Sequence, residues 1–443
     1  MSKVVPSKFM SGGSREGVSS FKEVQVERVK ILPQAHADSS YTPESLKRIH
    51  FQIPPFANAF HDNSRSFLSF TAQTTMTGFN INDNVTFGNG LPIFNRMVVK
   101  SNTGLTLEDI SQFHILTKLF TIVRQDEDFA VDRGIYGSSE APKQVGAQLN
   151  TNGIKYCVQF NTGILSKNLD GYLPLFLMGG PSHTALSIEL YLTPPTSCMR
   201  IVGDGQTTPT SISYSLKDVV WNACLLRIDE SLCSKFNEIA CGDEEVKIPF
   251  TTFHSHIQTL QSTTSHVMIS EAGTNLKRIW TVYTGTSQAI GRNNVLPFMG
   301  SAKQALDKNK ITKYNIKLGT KFLYNEPIQE TINNSETLQY VKDCVWSQDK
   351  PLLLAKANAD KTGTLFETAD MFFHVANMCY SPEEARGVIQ GVSSSLPIHI
   401  QTTFKSQPSG LYMNNFVELG YNLTIKNGIV SYEEQRPGSN STY

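Results

Sequence analysis

Residues Lys155 to Pro195 read KYCVQFNTGILSKNLDGYLPLFLMGGPSHTALSIELYLTPP, and this stretch decides the fold class. Tyr156, Val158 and Phe160 alternate with Cys157, Gln159 and Asn161, the two-residue period of a strand with one buried face. Leu173-Pro174-Leu175-Phe176-Leu177-Met178 is a short apolar run closed by Gly179-Gly180-Pro181, and it reads as a second strand. Leu186, Ile188, Leu190 and Leu192 then alternate with Ser187, Glu189 and Tyr191 until Pro194-Pro195 stops a third strand. Nothing in the stretch positions a nucleophile, a metal or a phosphate. It specifies architecture before chemistry.

Working outward, the same period recurs on both sides. Ile49, Phe51 and Ile53 alternate up to Pro54-Pro55, and Phe67 to Phe70 and Leu91 to Lys100 are further strand candidates. Leu107, Ile110, Phe113, Leu116, Leu119 and Phe120 then recur at helical spacing, with Thr106 as N-cap and Asp109 three residues on, which predicts a helix over about 106–122. A polar loop follows at roughly 124–150. Past the opening stretch, Ser211 to Asp229, Val246 to Leu260, His266 to Ser270, Lys277 to Tyr283 and Lys313 to Tyr324 read as strands. Thr337 to Trp346 is a second helix capped by Ser335. Met371 to Val375 and Leu396 to Ile400 are strands, and Val417 to Tyr432 is a closing pair turned at Asn427-Gly428.

The order of elements repeats. Strand, helix and strand at 91–161 recur at 313–376, LSIELYL at 186–192 has a counterpart in LPIHIQTTF at 396–404, and SYSLKDVVW at 213–221 is echoed by GYNLTIKNGIV at 420–430. Two similar β-rich units in tandem follow, with a boundary at about 225–240. The length agrees, because 443 residues exceed the size at which one core stops growing.

Composition bounds the function. Charged residues are 18% of the chain, low as expected where many strands bury a face, and Lys plus Arg equal Asp plus Glu at 39 each. No global field draws the protein to nucleic acid or to an anionic membrane, so recognition is local and sequence-specific nucleic-acid binding is not expected. No run approaches the roughly 20 apolar residues of a membrane span, and the N-terminus lacks an apolar signal core, which together lead to the expectation of a soluble chain made in the cytosol. Cys157, Cys198, Cys224, Cys233, Cys241, Cys344 and Cys379 are odd in number with no CxxC pair, and read as buried free thiols of a reducing compartment. Residues 1 to about 22 have few apolar anchors and read as a mobile arm. Through Lys30 the segment is mildly basic, with Lys3, Lys8, Arg15, Lys22, Arg28 and Lys30 against Glu16, Glu23 and Glu27.

Few residues stand in patterns that carry chemistry. There is no phosphate loop, dinucleotide fingerprint, HExxH or GxSxG. His254 and His256 share one face of a strand, with His266 near in sequence, the pattern of two zinc ligands; polar strand residues facing solvent explain them as well. Glu189 with Asp170 or Glu140 would make a glycosidase-like dyad, but the alternation puts Glu189 on the outward face. Trp221, Trp280 and Trp346 would suit a sugar-stacking platform, yet each sits within an apolar pattern that favours core or subunit contact. Asn84, Asn333, Asn422 and Asn440 match the glycosylation pattern and read as coincidences without a signal peptide. No catalytic, cofactor-binding or metal-ligating residue is assigned, and neither an enzyme activity nor a cofactor is expected.

In its serial order the sequence resembles the major capsid proteins of double jelly-roll viruses, especially those of polinton-like viruses and virophages. The resemblance is carried by RIHFQIPP at 48–55 and SFLSFTAQT at 66–74, by LPIFNRMVVKSNTGLTLEDISQFHILTKLF at 91–120, by FNTGILSKNLDGYLPLFLM at 160–178 and by LSIELYLTPP at 186–195. In the second half NLKRIWTVYT at 275–284 and VELGYNLTIKNGIVSYEE at 417–434 match more weakly. The resemblance implies an all-β chain of two tandem antiparallel eight-stranded jelly-roll sandwiches with short helices in the connections, over 48–230 and 231–443, behind an N-terminal arm and lead-in at 1–47. It implies a virion protein that self-assembles as homotrimeric, pseudo-hexameric capsomers of an icosahedral capsid. Neighbouring capsomers, penton and minor capsid proteins would be its partners, and the arm would face an internal membrane or genome-facing components. Loops near 124–150, 200–210, 285–312 and 347–368 are candidates for the outer surface or subunit contacts. The alternative is a carbohydrate-binding or carbohydrate-active protein on paired jelly rolls, for which a signal peptide, disulfides and exposed aromatics would be expected.

Overall fold

In the computed structural model the alternating segments become two sandwiches built on one strand order. It describes residues 24–34, 40–78, 84–88, 90–124, 144–145, 153–167, 169, 171–179, 183–202, 211–241, 245–271, 273–285, 311–329, 335–342, 344, 372–378, 392–394, 397–408 and 410–434. The first sandwich uses β1 (Gln25–Ile31), β2 (Arg48–Ile53), β3 (Phe67–Thr77), β4 (Phe94–Ser101), β5 (Thr106–Ser111), β6 (Ile154–Val158), β7 (Leu186–Leu192) and β8 (Ser211–Arg227). All pairings are antiparallel, in the orders β1-β8-β3-β6 and β2-β7-β4-β5. The short strand Ala59–His61 shares the β3 edge of β8 and pairs with Leu173–Pro174.

The second sandwich repeats that order. Its strands are β9 (Val246–Leu260), β10 (Thr264–Ile269), β11 (Gly273–Gly285), β12 (Ile311–Leu318), β13 (Lys321–Phe322), β14 (Phe373–Asn377), β15 (Ile398–Phe404) and β16 (Leu411–Lys426), followed by β17 (Ile429–Glu434). They pair as β9-β16-β11-β14 and β10-β15-β12-β13, so strands first-eighth-third-sixth and second-seventh-fourth-fifth are neighbours in both halves. This is the two-sheet jelly-roll arrangement, twice. The helices repeat as well: α1 (Phe113–Arg124) lies between the fifth and sixth strands of the first sandwich, and α3 (Ser335–Lys342) between those of the second. Between the sandwiches in sequence is α2 (Glu230–Cys241), a helix that the sequence pattern does not predict. The internal echoes align with this repeat, since β7 matches β15 and β8 matches β16. No helix among the described residues is long and apolar enough to cross a membrane.

Three local expectations change. The helix expected over 106–122 starts only at Phe113, because 106–111 forms β5 on β4. The ladder runs from Val99–Glu108 to Lys100–Thr106, which leaves Leu107 as a bulge residue; a bulge buries Leu107 and Ile110 three apart on a strand, mimicking a helical period. Gln112, at φ 53, breaks the chain into the helix, and its carbonyl accepts from the N–H groups of Ile115 and Leu116. Asp109 caps nothing and instead pairs with Arg96 across the ladder. The strand expected at 173–178 is two residues long and continues as a 3-10 turn over Leu175–Leu177, because Pro174 offers no N–H to a ladder. Finally, β1 lies inside the 1–47 segment left outside the first sandwich; in QVERVKI only Ile31 is fully buried, so the alternation is faint. The arm at 1–22 lies outside the described residues.

The Asn427-Gly428 turn is as expected. Both residues have positive φ, 51 and 73, the two-residue hairpin geometry, and β16 reverses there into β17. Among the described residues Cys198, Cys224, Cys233 and Cys344 are buried free thiols, whereas Cys157 is exposed, because it lies on the outer face of β6, opposite Tyr156 and Val158.

Candidate functional site

A single apolar cluster runs from Ile31 to Val430 and takes in residues of both sandwiches. The surfaces where sandwich meets sandwich are therefore built as core, and α1 is the wedge between them. Residues 115–120 are all buried, Thr117 and Lys118 among them, so the helix has no open side there, and Val123 is buried as well. Phe120 stands 5.1 Å from the ring of Phe253 on β9 and 5.3 Å from that of Trp280 on β11. Lys118 is held by the Ser197 carbonyl at 2.7 Å, and burial brings its ammonium down to about 8.

Polar contacts set the register of the seam. The hydroxyls of Ser111 at the end of β5 and Ser255 on β9 are hydrogen-bonded. At the β4–β5 turn Asn102 donates to the carbonyls of Met178, at 2.9 Å, and of Gly428, while the Val430 N–H donates to Asn102 Oδ1 at 3.4 Å. One asparagine of the first sandwich thus holds the last hairpin of the second.

Beneath Trp280 lies a buried charge pair. Arg278 Nη1 donates to Glu418 Oε1 at 3.3 Å, and Trp280 Nε1 donates to Glu418 Oε2 at 2.8 Å, with Arg278 and Glu418 both inaccessible. The face of β11 that carries Arg278 and Trp280 is the one Phe120 covers, and β16, paired between β9 and β11, is buried almost from end to end. On the opposite face the Tyr283 hydroxyl is hydrogen-bonded to Nε2 of His374 at 2.9 Å, and the imidazole stacks on Tyr314 at 4.1 Å; burial lowers His374 to about 3, so it is neutral.

Titratable groups gather along β9. His254 Nδ1 and His256 Nε2 donate to the two oxygens of Glu271 at 2.9 and 2.8 Å. Burial works to raise Glu271, but the two imidazoles outweigh it and hold the carboxyl at about 2; the hydrogen bond to Glu271 raises His254 against its own burial. Glu108 on β5 is buried, accepts from the Ile164 N–H at 2.9 Å, and is raised by burial to about 7. The signs differ. Glu271 lends stability above the ordinary carboxyl value of 4.5, lost as pH falls toward 2, and His254 lends stability below 6.5, lost as pH rises through its raised value. Glu108 favours folding most below 4.5, and its share is lost as pH rises to about 7, a change of roughly 3 kcal/mol. Glu108→Gln, which keeps the shape and cannot ionise, is expected to flatten the decline of stability between pH 5 and pH 8; urea unfolding at both values checks this, and an unchanged decline would contradict it.

The remaining sequence candidates fall into place as structure. Among the described residues no group of three or more His, Cys, Asp or Glu is placed to hold a metal ion, and His266 lies exposed on β10, apart from the Glu271 pair. Glu189 is on the outward face of β7, as expected, yet it is covered to 5% exposure: Lys100 donates to it at 2.7 Å and Tyr191 at 2.8 Å. Burial opposes its ionisation, and these two donors with Arg48 still leave its carboxyl below the ordinary value. Asp170, Glu140 and Trp346 lie outside the described residues. Trp221 is buried, stacked on Phe160 at 5.6 Å, and its indole N–H points at Nε2 of His61, which burial holds neutral at about 4. With Trp280 also buried, both described tryptophans are core rather than sugar platforms.

No protein-family model matches the sequence, and no curated relative matches it. Solved structures do match over nearly the whole chain. The capsid of the PBCV-1 virus superposes with a TM-score of 0.59 at 9% identity, over 97% of this chain and 100% of that one. The Sputnik virophage structure gives 0.57 at 11% identity, over 98% and 93%, and the mavirus major capsid protein 0.51 at 12%, over 98% and 94%. The chain has the double jelly-roll fold that these structures share.

Proposed function

We propose that the chain is a viral major capsid protein that self-assembles as homotrimeric, pseudo-hexameric capsomers of an icosahedral shell. One observation carries the reading: the same eight-strand order occurs twice and the copies are fused through one continuous core. Three such chains present six like blocks, and a cyclic trimer needs two different faces on each protomer, which a tandem repeat supplies. The proteins sharing the fold are named as capsids and capsid proteins, which supports the same reading. The role is structural, without catalysis. The division at 230/231 would fall at the start of α2, with β1 belonging to the first jelly roll and residues 1–22 reaching inward to neighbours, a membrane or minor proteins. Neighbouring capsomers and penton proteins would complete the partners.

Light scattering of the purified chain tests the assembly. A species near three times 49.2 kDa, insensitive to reductant, is expected. A monomer at every concentration would overturn the trimeric capsomer.

A further inference from the structure

Where the edge strand β5 of the first sandwich runs beside β9 of the second, ionisable groups of both halves meet. Ser111 bonds to Ser255, and three residues back on each strand Glu108 faces Thr252. Glu108 and Thr252 are each 3% exposed. The carboxyl Oε2 of Glu108 accepts from the Ile164 N–H at 2.9 Å, while Oε1 is buried with no hydrogen-bond partner among the described residues. Gly163 packs directly on the group, since a Cβ there would stand 2.4 Å from both carboxyl oxygens. A carboxylate is costly in such a place and a neutral carboxylic acid is not.

The charges around it come from the second sandwich. His254 on β9 is the cation that reaches Glu108. His254 in turn faces Glu271 at 2.9 Å, Glu108, Glu434 of β17 and the Tyr421 ring at 6.4 Å, and His256 holds the other oxygen of Glu271 at 2.8 Å. On the first sandwich Glu108 pairs in register with the apolar Val99, and the charged neighbours Asp109 and Arg96 are spent on one another.

We propose that Glu108 and His254 form an acid-closed latch between the two sandwiches, shut when each holds a proton and loosened as pH rises past neutrality. The device lies within one chain and does not depend on how chains associate. As pH rises, Glu108 becomes an anion in the seam and draws water between β5 and β9, and His254 gives up the charge that binds Glu271. Both changes have one sign. The share of Glu108, whole below 4.5, is lost as pH passes about 7, and that of His254, whole below 6.5, is lost through its raised value. Glu271, held at about 2, weakens the joint only as pH falls below 4.5, so the latch is shut from about 4.5 to 6.5. The Phe120 wedge and the Asn102 contact contain no ionisable side chain, and they keep the halves joined while the β5–β9 edge opens.

Hydrogen exchange on the full-length chain at pH 6 and pH 8 tests this, with each rate divided by that of an unstructured chain at the same pH. Segments 106–111, 160–166 and 250–256 are expected to open about tenfold more often at pH 8, the factor given by a carboxyl moved from 4.5 to about 7, while β15 is unchanged. Glu108→Gln should remove most of the difference, and Glu108→Gln with His254→Gln all of it. Equal opening at the two pH values in the wild type overturns the latch. So does a difference spread evenly over both sandwiches, or one that persists in the double variant. The wild-type comparison needs no variant, so a folding defect in either cannot mask the result.

Discussion

Phe120→Ala should turn one unfolding transition into two. The ring lies at the meeting point of α1, β9 and β11, in contact with Phe253 and Trp280, and its loss opens a cavity that the sheet behind cannot collapse to fill. Truncating a buried phenylalanine costs about 3–5 kcal/mol. Here that cost falls on the coupling between the sandwiches more than on either one alone, because each keeps its own paired sheets. Calorimetry, or urea unfolding followed by tryptophan fluorescence and by circular dichroism, should show coincident transitions for the wild type and separated ones for the variant. Coincident transitions in both would mean that the sandwiches are coupled elsewhere, with the Asn102 contact to the last hairpin as the next place to look.

Glu418→Leu is the second large effect. It leaves Arg278 in a dry interior without the carboxylate and removes the acceptor of the Trp280 indole. Breaking one side of a buried ion pair costs about 3–5 kcal/mol. Removing both charges, as Arg278→Met with Glu418→Leu, should recover most of that loss, because desolvation of the pair roughly offsets its attraction. Denaturant midpoints of the three variants measure it. A double substitution as damaging as the single one would show that the two side chains serve through packing and not through charge.

Much of the fold was legible because one face of most strands meets solvent. Ile49, Phe51 and Ile53, or Leu186 to Leu192, announce their strands by burial on alternate residues, and the tandem order could be read from them. The period failed where local geometry broke it: at the Leu107 bulge, at Pro174, and on β1, whose charged residues edge the sheet. The seam was not legible. Arg278 in KRIWTVY looks like a solvent-facing residue of a strand, because nothing within that strand discloses that a helix from the other sandwich covers its outer side. His254 and His256 were visible as a pair two apart, but their partner Glu271 arrives only when β9 turns back through β10.

The position of β16 carries a consequence for synthesis. It is the central strand of its sheet, hydrogen-bonded to β9 along its whole length and to β11 on the other edge, yet it leaves the ribosome after all the other strands of the second sandwich but β17. The first sandwich can close once residue 227 has emerged, whereas the second waits for residues 411–426. In that interval α1 has no cover on its Phe120 side, and a nascent chain shows apolar surface that the finished one hides.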